Sequence, residues 1–216
     1  GSKWFTVMDA KNGYHQILLD EEARDLLCFI TPWGRYRFLR GPQGFIGTGD
    51  KHNYEGDRIL SGVQDTAKVV DDIITASIPF DEHVERVVEV LERCRDGGIT
   101  LSPKKFKFAQ AEVQYVGYVV GRDGIKADPA KLKAIQEYPK PSNIHELRSF
   151  DGMINQIGHF TTELTEARGV IRDLRSKKNV FTWGVEHDRA FEAIKTCLTR
   201  LMLSLIHISE PTRPYL

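Results

Sequence analysis

The sequence predicts an α+β fold followed by a mostly helical segment, with the boundary near residue 122. Through the first 121 positions, short runs of β-branched and aromatic residues alternate with turn residues. Beyond them, apolar residues recur at helical spacing. Hydrophobic residues make up 41% of the 216 positions and charged residues 28%, as in globular chains long enough to form their own core.

Four strands are predicted near the N-terminus. Residues 3–9 form the first, and the alternating residues 14–19 form the second. Residues 26–31 and 35–40 predict a hairpin, because the Pro-Trp-Gly sequence at 32–34 has the composition of a tight turn.

The next elements are a loop at 41–44 and a helix at 48–61, which Gly56 is expected to interrupt. Two β-branched runs around an Asp-Asp pair predict a second hairpin at 68–77. Residues 81–95 predict an amphipathic helix that ends before two glycines. The apolar face of this helix is predicted to contain Val84, Val87, Val88 and Leu91.

Short strands around 106–108 and 113–120 complete the first part of the chain. In the second part, Asp128-Pro129 has the pattern of an N-cap followed by proline at the first helical position. Asn143 and Glu146 form a capping-box pattern before another helix. The predicted apolar positions of that helix are Leu147, Phe150, Ile154 and Ile157. Two further helices are predicted at 161–176 and 185–201.

Composition excludes several classes of protein. The cysteines Cys28, Cys94 and Cys197 are too few and too scattered for a disulfide framework or a CxxC metal site, so we expect small buried side chains. No stretch has the apolar length of a membrane span, and the N-terminus lacks a signal-peptide pattern. An intracellular, soluble protein without a membrane partner is therefore expected.

Charge is balanced overall, with 30 basic and 30 acidic residues, but it is uneven along the chain. Residues 50–92 contain four basic and eleven acidic residues, whereas residues 93–140 contain ten basic and five acidic residues. The acidic region could bind metal ions and the basic region phosphates, although two ordinary solvated helices would give the same pattern.

Three carboxylates are candidates for a metal site. Asp9 ends the first predicted strand, and Asp71 and Asp72 lie at the tip of the second hairpin. If both elements belong to one sheet, these groups converge, and a cation must offset their repulsion. Oxygen ligands favour Mg²⁺, which in pairs can activate a hydroxyl and stabilise a leaving pyrophosphate. By itself, an Asp-Asp pair also fits an ordinary polar turn.

Six segments occur in a characteristic order. They are FTVMD (5–9) with GYHQI (13–17), FITPWGRY (29–36), GPQGF (41–45), VVDD (69–72), YVGY (115–118), and LRSF (147–150) with FTW (181–183) and AF (190–191). Together they resemble the reverse transcriptase of gypsy-type LTR retrotransposon Pol polyproteins and, more distantly, that of retroviruses. The resemblance covers about residues 3–201. It implies a polymerase palm with partial fingers and a helical thumb.

The resemblance implies a role for each site residue. Asp9 and Asp71 are expected to ligate two Mg²⁺ ions, for which Mn²⁺ could substitute, and Asp72 to complete the acidic site less directly. Tyr14 is expected to lie under the incoming sugar and exclude a 2′-hydroxyl, and Gln43 with Gly44 to contact the nucleotide. A half-buried strand aromatic and a loop amide bonded to backbone are the alternatives for Tyr14 and Gln43.

Primer and template contacts are expected at two further segments and at a group of lysines. The residues concerned are Val69, Val70, Tyr115, Val116, Gly117, Tyr118, Lys104, Lys105 and Lys107. Val69 stands where the family usually has tyrosine. The lysines alternate with Phe106 and Phe108, which on a strand places the cations on one face. A solvated edge strand that blocks aggregation is an equal alternative. His15 and His159 have no zinc spacing and are interpreted as structural.

The resemblance also divides the chain. Residues 1–121 are expected to be the palm with partial fingers, 122–178 the thumb-like segment, and 179–202 the start of a tether toward RNase H. Residues 203–216 resemble the translation of a sequencing adapter and are excluded from the fold. The chain is therefore expected to be a fragment of a Pol polyprotein, which acts in the cytoplasm in a retrotransposon particle.

Three functions remain in competition at this point. The favoured hypothesis is an RNA-directed DNA polymerase that extends a primer 3′-hydroxyl with deoxynucleoside triphosphates on an RNA or DNA template. A catalytically silent fragment that only binds nucleic acid is the first alternative. A palm-like nucleotidyl cyclase is the second, although a cyclase has no need of the Gln43 loop or a primer-binding segment.

Overall fold

The computed structural model describes residues 1–155, 162–172, 174 and 181–203. The chain forms two compact units, each with its own apolar core. The first contains residues 1–116 and 120–122, and the second contains residues 117–119 and continues from residue 123. None of the described helices is both long enough and apolar enough to cross a membrane.

Strands and helices alternate in the first unit. Its elements are β1 (Trp4–Asp9), a 3₁₀ turn (Gly13–Gln16), α1 (Glu21–Leu26), β2 (Cys28–Thr31), β3 (Gly34–Arg37), α2 (Ile46–Leu60), β4 (Thr66–Val69), β5 (Asp72–Ser77), α3 (Phe80–Asp96), a second 3₁₀ turn (Pro103–Lys105), β6 (Lys107–Gln110) and β7 (Glu112–Tyr115). β2 and β3 form the predicted hairpin. The main sheet has the order β4-β5-β1-β6.

The central pair of this sheet, β1 and β5, is antiparallel and separates two small cores. Alternate side chains point to opposite faces, so Met8 and Ile73 join one core while Val7 and Ile74 join the other. The cross-strand partners are Met8 with Ile73 and Val7 with Ile74. Burial on both faces fixes the register, because a slip of one residue would exchange the two sets of side chains.

A polar network connects the sheet to α3. His83 is fully buried, and its Nε2 is hydrogen-bonded to the Thr6 hydroxyl at 2.6 Å. Its Nδ1 is hydrogen-bonded to the Ser77 hydroxyl at 3.2 Å, and Arg86 donates to the same oxygen at 3.0 Å. Thr6 Oγ1 in turn accepts from the backbone N–H of Ala109 at 3.0 Å. These bonds satisfy polar groups whose burial would otherwise be costly.

The strand predicted at 14–19 is wrong, because the chain turns immediately after β1. Asn12 adopts the left-handed conformation with φ of 51°, and its carbonyl accepts from the His15 N–H at 2.9 Å. Gln16 then fastens the 3₁₀ turn, since its amide donates to Thr100 O at 2.9 Å and accepts from Thr100 N at 2.8 Å. The acidic stretch that follows is α1, capped by Asp20.

Two details of the predicted helices also need correction. α2 is continuous through Gly56. The Lys68 side chain occupies the space that a Cβ on Gly56 would take, with Lys68 Cε 2.7 Å from that position, so packing accounts for the glycine. α3 buries His83, Val87, Val90 and Cys94. Val88 and Leu91 are exposed, so the buried face is rotated from the predicted one and is centred on the polar network.

β8 (Tyr118–Gly121) and β9 (Gly124–Ala127) lead into the helices of the second unit. These are α4 (Pro129–Gln136), α5 (Ile144–Asn155), α6 (Thr162–Arg172) and α7 (Val185–Leu203). Their largest fully buried side chains include Leu147, Phe150, Ile154, Ile194 and Leu198. Ile157 and His159, and residues 204–216 of the predicted adapter segment, lie outside the described residues.

Both predicted caps of this unit form. The Asp128 carboxylate accepts from Ala130 N at 2.9 Å, and Asn143 Oδ1 accepts from Glu146 N at 3.0 Å. The Glu146 carboxylate accepts a hydrogen bond from the backbone N–H of Ser142 at 2.7 Å. The backbone partner of Glu146 in the capping box is therefore Ser142, one residue before the predicted Asn143. Buried Asp151 is paired with Arg168 through both carboxylate oxygens.

We predict that the first unit loses stability in mild acid because of His83. Burial, followed by the charge of Arg86, lowers the pKa of His83 below its ordinary value of 6.5. Between the lowered pKa of the folded chain and 6.5, the unfolded chain binds more protons at this residue than the folded chain does. Stability therefore decreases as the pH is lowered, by at most about 1.4 kcal/mol per pH unit. Urea unfolding at pH 7.5 and 5.5 measures this loss.

His83→Gln, which cannot titrate, is expected to lose less stability between these pH values than the unsubstituted chain. His145→Gln, at an exposed histidine of α5, is the matched control and keeps the full loss. Equal pH dependence in all three chains would contradict the prediction.

Candidate functional site

A cleft of about 310 Å³ opens in the first unit where β1 ends. Its walls come from the turn after β1, the loop before α2, the β4–β5 hairpin tip and the second 3₁₀ turn. They include Asp9, Tyr14, Gln43, Asp71 and Lys105. The fold thus brings together residues that are up to 96 positions apart in the chain.

Two of the acids are direct cross-strand neighbours. Asp9, the last residue of β1, is opposite Asp72, the first residue of β5, so both side chains extend from the same face of the sheet. The hairpin tip is tied to β1 by the Ala10 N–H, which donates to Asp71 O at 2.8 Å. Asp71 and Asp9 therefore both line the cleft, whereas Asp72 is not part of its lining.

The electrostatic cost of this cluster is visible at Asp72. Burial raises the pKa of the Asp72 carboxyl, and the negative charges of Asp9 and Asp71 raise it further. The ammonium of Lys105 acts in the opposite direction and lowers that pKa. Like charges held this close favour a bound cation, whether from the protein or from solution.

Lys105 is a lysine of the cleft that pairs directly with one of the acids. Its Nζ donates to Asp9 Oδ2 at 2.6 Å, and this bond raises the pKa of Lys105. The predicted alternation of lysines along one strand is wrong here, because Pro103–Lys105 is a 3₁₀ turn and the strand begins at Lys107. Lys104 and Lys107 are exposed. The rings of Phe106 and Phe108 stack on each other with 6.2 Å between their centroids.

Asp71 contacts a histidine, His52, that was not predicted from the sequence as a site residue. His52 Nε2 lies 2.9 Å from Asp71 Oδ1, and the His52 side chain is only 6% exposed. A Cβ on Gly13 would lie 2.1 Å from the same oxygen, so the turn after β1 requires glycine there. The sequence signal was the spacing of Thr48, His52, Gly56 and Leu60, which places His52 on the buried face of α2.

The expected nucleotide contacts also meet in this cleft. Tyr14 lies in the first 3₁₀ turn and packs edge-on against His52 at 5.7 Å between ring centroids. Gln43 lines the cleft from the loop before α2, and Gly44 follows it with φ of 90°, a conformation suited to glycine. The alternative of a strand aromatic for Tyr14 does not apply, since that segment is not a strand.

The expected primer contacts are divided between the two units. Val69 ends β4, and Val70 occupies the turn with φ of 54°, a strained conformation for a β-branched residue. The Tyr115 hydroxyl donates to the carbonyls of Asp72 at 3.3 Å and Ala67 at 3.4 Å, beneath the hairpin. Val116 also has positive φ, and Gly117 and Tyr118 belong to the second unit.

The donor set suits a hard divalent cation. Three carboxylates at one sheet edge provide only oxygen ligands, as Mg²⁺ prefers, and they carry more negative charge than Lys105 neutralises. Within the described part of the chain, no three His, Cys, Asp or Glu side chains are already arranged as a metal site. One oxygen of Asp9 and one of Asp71 instead face Lys105 and His52.

Comparison with known families decides the identity of this unit. The family model for "Reverse transcriptase (RNA-dependent DNA polymerase)" matches residues 1–120, which is more than half of the chain. The chain belongs to the reverse transcriptase family. The sequence resemblance to this family is thereby confirmed.

The similar proteins are retrotransposon polyproteins. The "Retrovirus-related Pol polyprotein from transposon gypsy" of Drosophila melanogaster is 34% identical over 82% of this chain and 17% of its own length. That from transposon 297 of the same species is 31% identical over 92% of this chain and 19% of its own length. The "Transposon Tf2-3 polyprotein" of Schizosaccharomyces pombe is 29% identical over 92% of this chain and 15% of its own length. The chain spans less than a fifth of these relatives.

Solved structures confirm the α+β polymerase fold. The foamy viral protease-reverse transcriptase in complex with RNA/DNA hybrid matches 91% of this chain and 27% of its own, with a TM-score of 0.84 and 23% identity. A related structure of that protein with double-stranded DNA matches 92% of this chain and 36% of its own, with the same TM-score and 22% identity. At this identity the likeness concerns the fold.

Gly13→Ala is predicted to disrupt the cleft of this reverse transcriptase unit. The added Cβ would lie 2.1 Å from Asp71 Oδ1 and 2.6 Å from His52 Cε1, so the turn or the hairpin tip must move. We expect a loss of about 1–3 kcal/mol in the free energy of unfolding, as for other overpacked sites.

The matched control is Gly49→Ala, in the first turns of α2. Its nearest neighbour is the Tyr14 hydroxyl at 3.7 Å, an ordinary contact distance, and alanine favours the helix. Urea unfolding of both variants makes the comparison, and a Gly13→Ala chain as stable as the control would show that the turn is not packed as described.

Proposed function

We propose that this chain is the polymerase portion of a retrotransposon Pol polyprotein and catalyses RNA-directed DNA synthesis. Residues 1–121 would form the palm with partial fingers, 122–178 the thumb, and 179–202 the start of a tether. The observation that carries the proposal is that Asp9 and Asp71 line one cleft together with Tyr14 and Gln43. Family membership and the foamy viral complexes with nucleic acid support it.

The carboxylates would bind the divalent cations of the reaction. Asp9 and Asp71 would hold Mg²⁺, or Mn²⁺ in its place, with Asp72 adding charge from the adjacent strand position. When bound, two such ions supply activation of the primer 3′-hydroxyl and neutralisation of the pyrophosphate leaving group. For Asp9 to use both oxygens, Lys105 must release Oδ2.

The remaining residues would orient the nucleotide and the primer. Tyr14 would lie under the deoxyribose, where its ring, held by His52, leaves no room for a 2′-hydroxyl. The Gln43 amide would donate to the incoming nucleotide, and Gly44 would let the backbone approach it. The primer end would contact the hairpin residues Val69 and Val70 and the segment Tyr115, Val116, Gly117 and Tyr118.

Nucleic acid would be bound through phosphates. The exposed lysines Lys104 and Lys107, with Lys105 beside them, form a basic group next to the cleft. Such contacts strengthen binding to any sequence and weaken it as salt rises. We place this activity in a retrotransposon particle in the cytoplasm, as part of the longer polyprotein.

Primer extension tests the polymerase directly. On a poly-rA template with an oligo-dT primer and Mg²⁺, the chain is expected to incorporate dTTP. Asp71→Asn is expected to lower the rate by about 100-fold or more, because it removes one charged ligand from a preorganised site. Asp96→Asn, at an exposed acid at the end of α3, is the matched control and should retain activity.

Failure of extension by the unsubstituted chain, with duplex binding retained, would favour the silent nucleic-acid-binding fragment. Extension that survives Asp71→Asn unchanged would instead contradict the assignment of the cleft.

Neutralising the lysine group is predicted to weaken nucleic-acid binding. Changing Lys104, Lys105 and Lys107 to Gln should reduce the slope of log affinity against log salt by about 2–3, because each lysine that binds a phosphate contributes roughly one to that slope. Fluorescence anisotropy with a labelled RNA/DNA duplex at several salt concentrations measures the slope.

The control substitutes three exposed basic residues elsewhere in the first unit, Lys3, Lys51 and Arg58, with Gln. It removes the same formal charge and should change the slope much less. Equal slopes in the two triple variants would reject this lysine group as the phosphate-binding site.

A further inference from the structure

His52 lies against two residues of the cleft wall, Tyr14, which is a proposed nucleotide contact, and Asp71, which is a proposed metal ligand. α2 places it there, because Thr48, His52, Gly56 and Leu60 recur every four residues on the buried face of the helix. A histidine in such a position carries two polar nitrogens into a region with little water.

Asp71 lies against one of these nitrogens. His52 Nε2 and Asp71 Oδ1 are 2.9 Å apart, at ion-pair distance, and both atoms are buried. The two atoms are not aligned as a hydrogen bond, and neither has a hydrogen-bond partner among the described residues. Leaving either of them without the other would bury an uncompensated polar group, which is costly for a carboxylate oxygen above all.

Packing fixes the orientation of both groups. The Tyr14 ring meets the imidazole edge-on, with 5.7 Å between centroids. The backbone of Gly13 approaches both groups so closely that an added Cβ would lie 2.6 Å from His52 Cε1 and 2.1 Å from Asp71 Oδ1. The Asp71 side chain is nevertheless 39% exposed, so the rest of its carboxylate faces the cleft.

We infer that His52 is a positioning residue for Asp71, which holds Oδ1 inward so that Oδ2 is presented to a divalent cation. This inference rests on the proposed function, in which Asp71 binds such a cation. A group that orients a metal ligand in this way commonly changes metal affinity by about 10–100-fold when it is removed. The imidazole of His52 also packs against the Tyr14 ring, so one histidine contacts both a proposed metal ligand and a proposed nucleotide contact.

Binding of Mn²⁺, followed by the loss of the free-ion electron paramagnetic resonance signal, tests the inference without any catalytic turnover. His52→Phe keeps a flat ring in the cavity and removes the nitrogen. We expect its Mn²⁺ affinity to fall by about 10-fold or more. His52→Gln, which retains a donor on a side chain of similar reach, should recover part of the loss.

Two controls separate positioning from other effects. His145→Phe, at an exposed histidine of α5, should bind Mn²⁺ like the unsubstituted chain. Thermal unfolding followed by circular dichroism establishes that each variant is folded at the assay temperature. If His52→Phe is not folded there, His52→Met, which fills the cavity with a flexible apolar side chain, replaces it.

Asp71→Asn separates the positioning role of His52 from the metal-binding role proposed for Asp71. If Asp71→Asn weakens Mn²⁺ binding and folded His52→Phe does not, the positioning role is overturned while the proposed function stands. If Asp71→Asn leaves Mn²⁺ binding unchanged, Asp71 is not a metal ligand, and both the proposed function and the inference fail.

Discussion

The antiparallel register of β1 and β5 is the constraint on which the site depends. It sets Asp9 opposite Asp72 and brings the hairpin tip with Asp71 to the end of β1. Two small cores, one on each face of the sheet, hold that register, because a shift of one residue would exchange Met8 and Ile73 with Val7 and Ile74 between the two cores. The acids are therefore positioned by apolar packing a few residues away.

A cluster of like charges must be compensated even before a ligand arrives. Lys105 provides a positive charge to Asp9, and His52 provides a partner to Asp71. These two contacts differ physically. Lys105 is largely exposed and can exchange its place with an ion from solution, whereas His52 is locked between Tyr14 and Gly13. The first is a replaceable counterion, and the second is part of the framework of the cleft.

Much of this could be predicted from the sequence, where local chemistry decides the structure. The hairpins, the Asp128 and Asn143 caps and the helical second unit all follow from turn composition, capping patterns and periodicity. Errors arose where distant residues override local preference. Residues 14–19 alternate like a strand, but Asn12 turns the chain and Gln16 bonds to Thr100, 84 positions away. No local pattern could pair His52 with Asp71, because only the packed sheet and helix bring them together.

The most direct test of this account is a cross-link between the two strands. Opposed residues in an antiparallel pair have Cα atoms about 4.5–5.5 Å apart, which a disulfide can span. We expect Asp9→Cys combined with Asp72→Cys to form an intramolecular disulfide on mild oxidation, identified by peptide mass spectrometry. Asp9→Cys combined with Asp81→Cys, at the start of α3 and beside the opposite end of β1, should not. A folded chain in which the introduced pair at 9 and 72 stays unlinked would contradict the register and the site built on it.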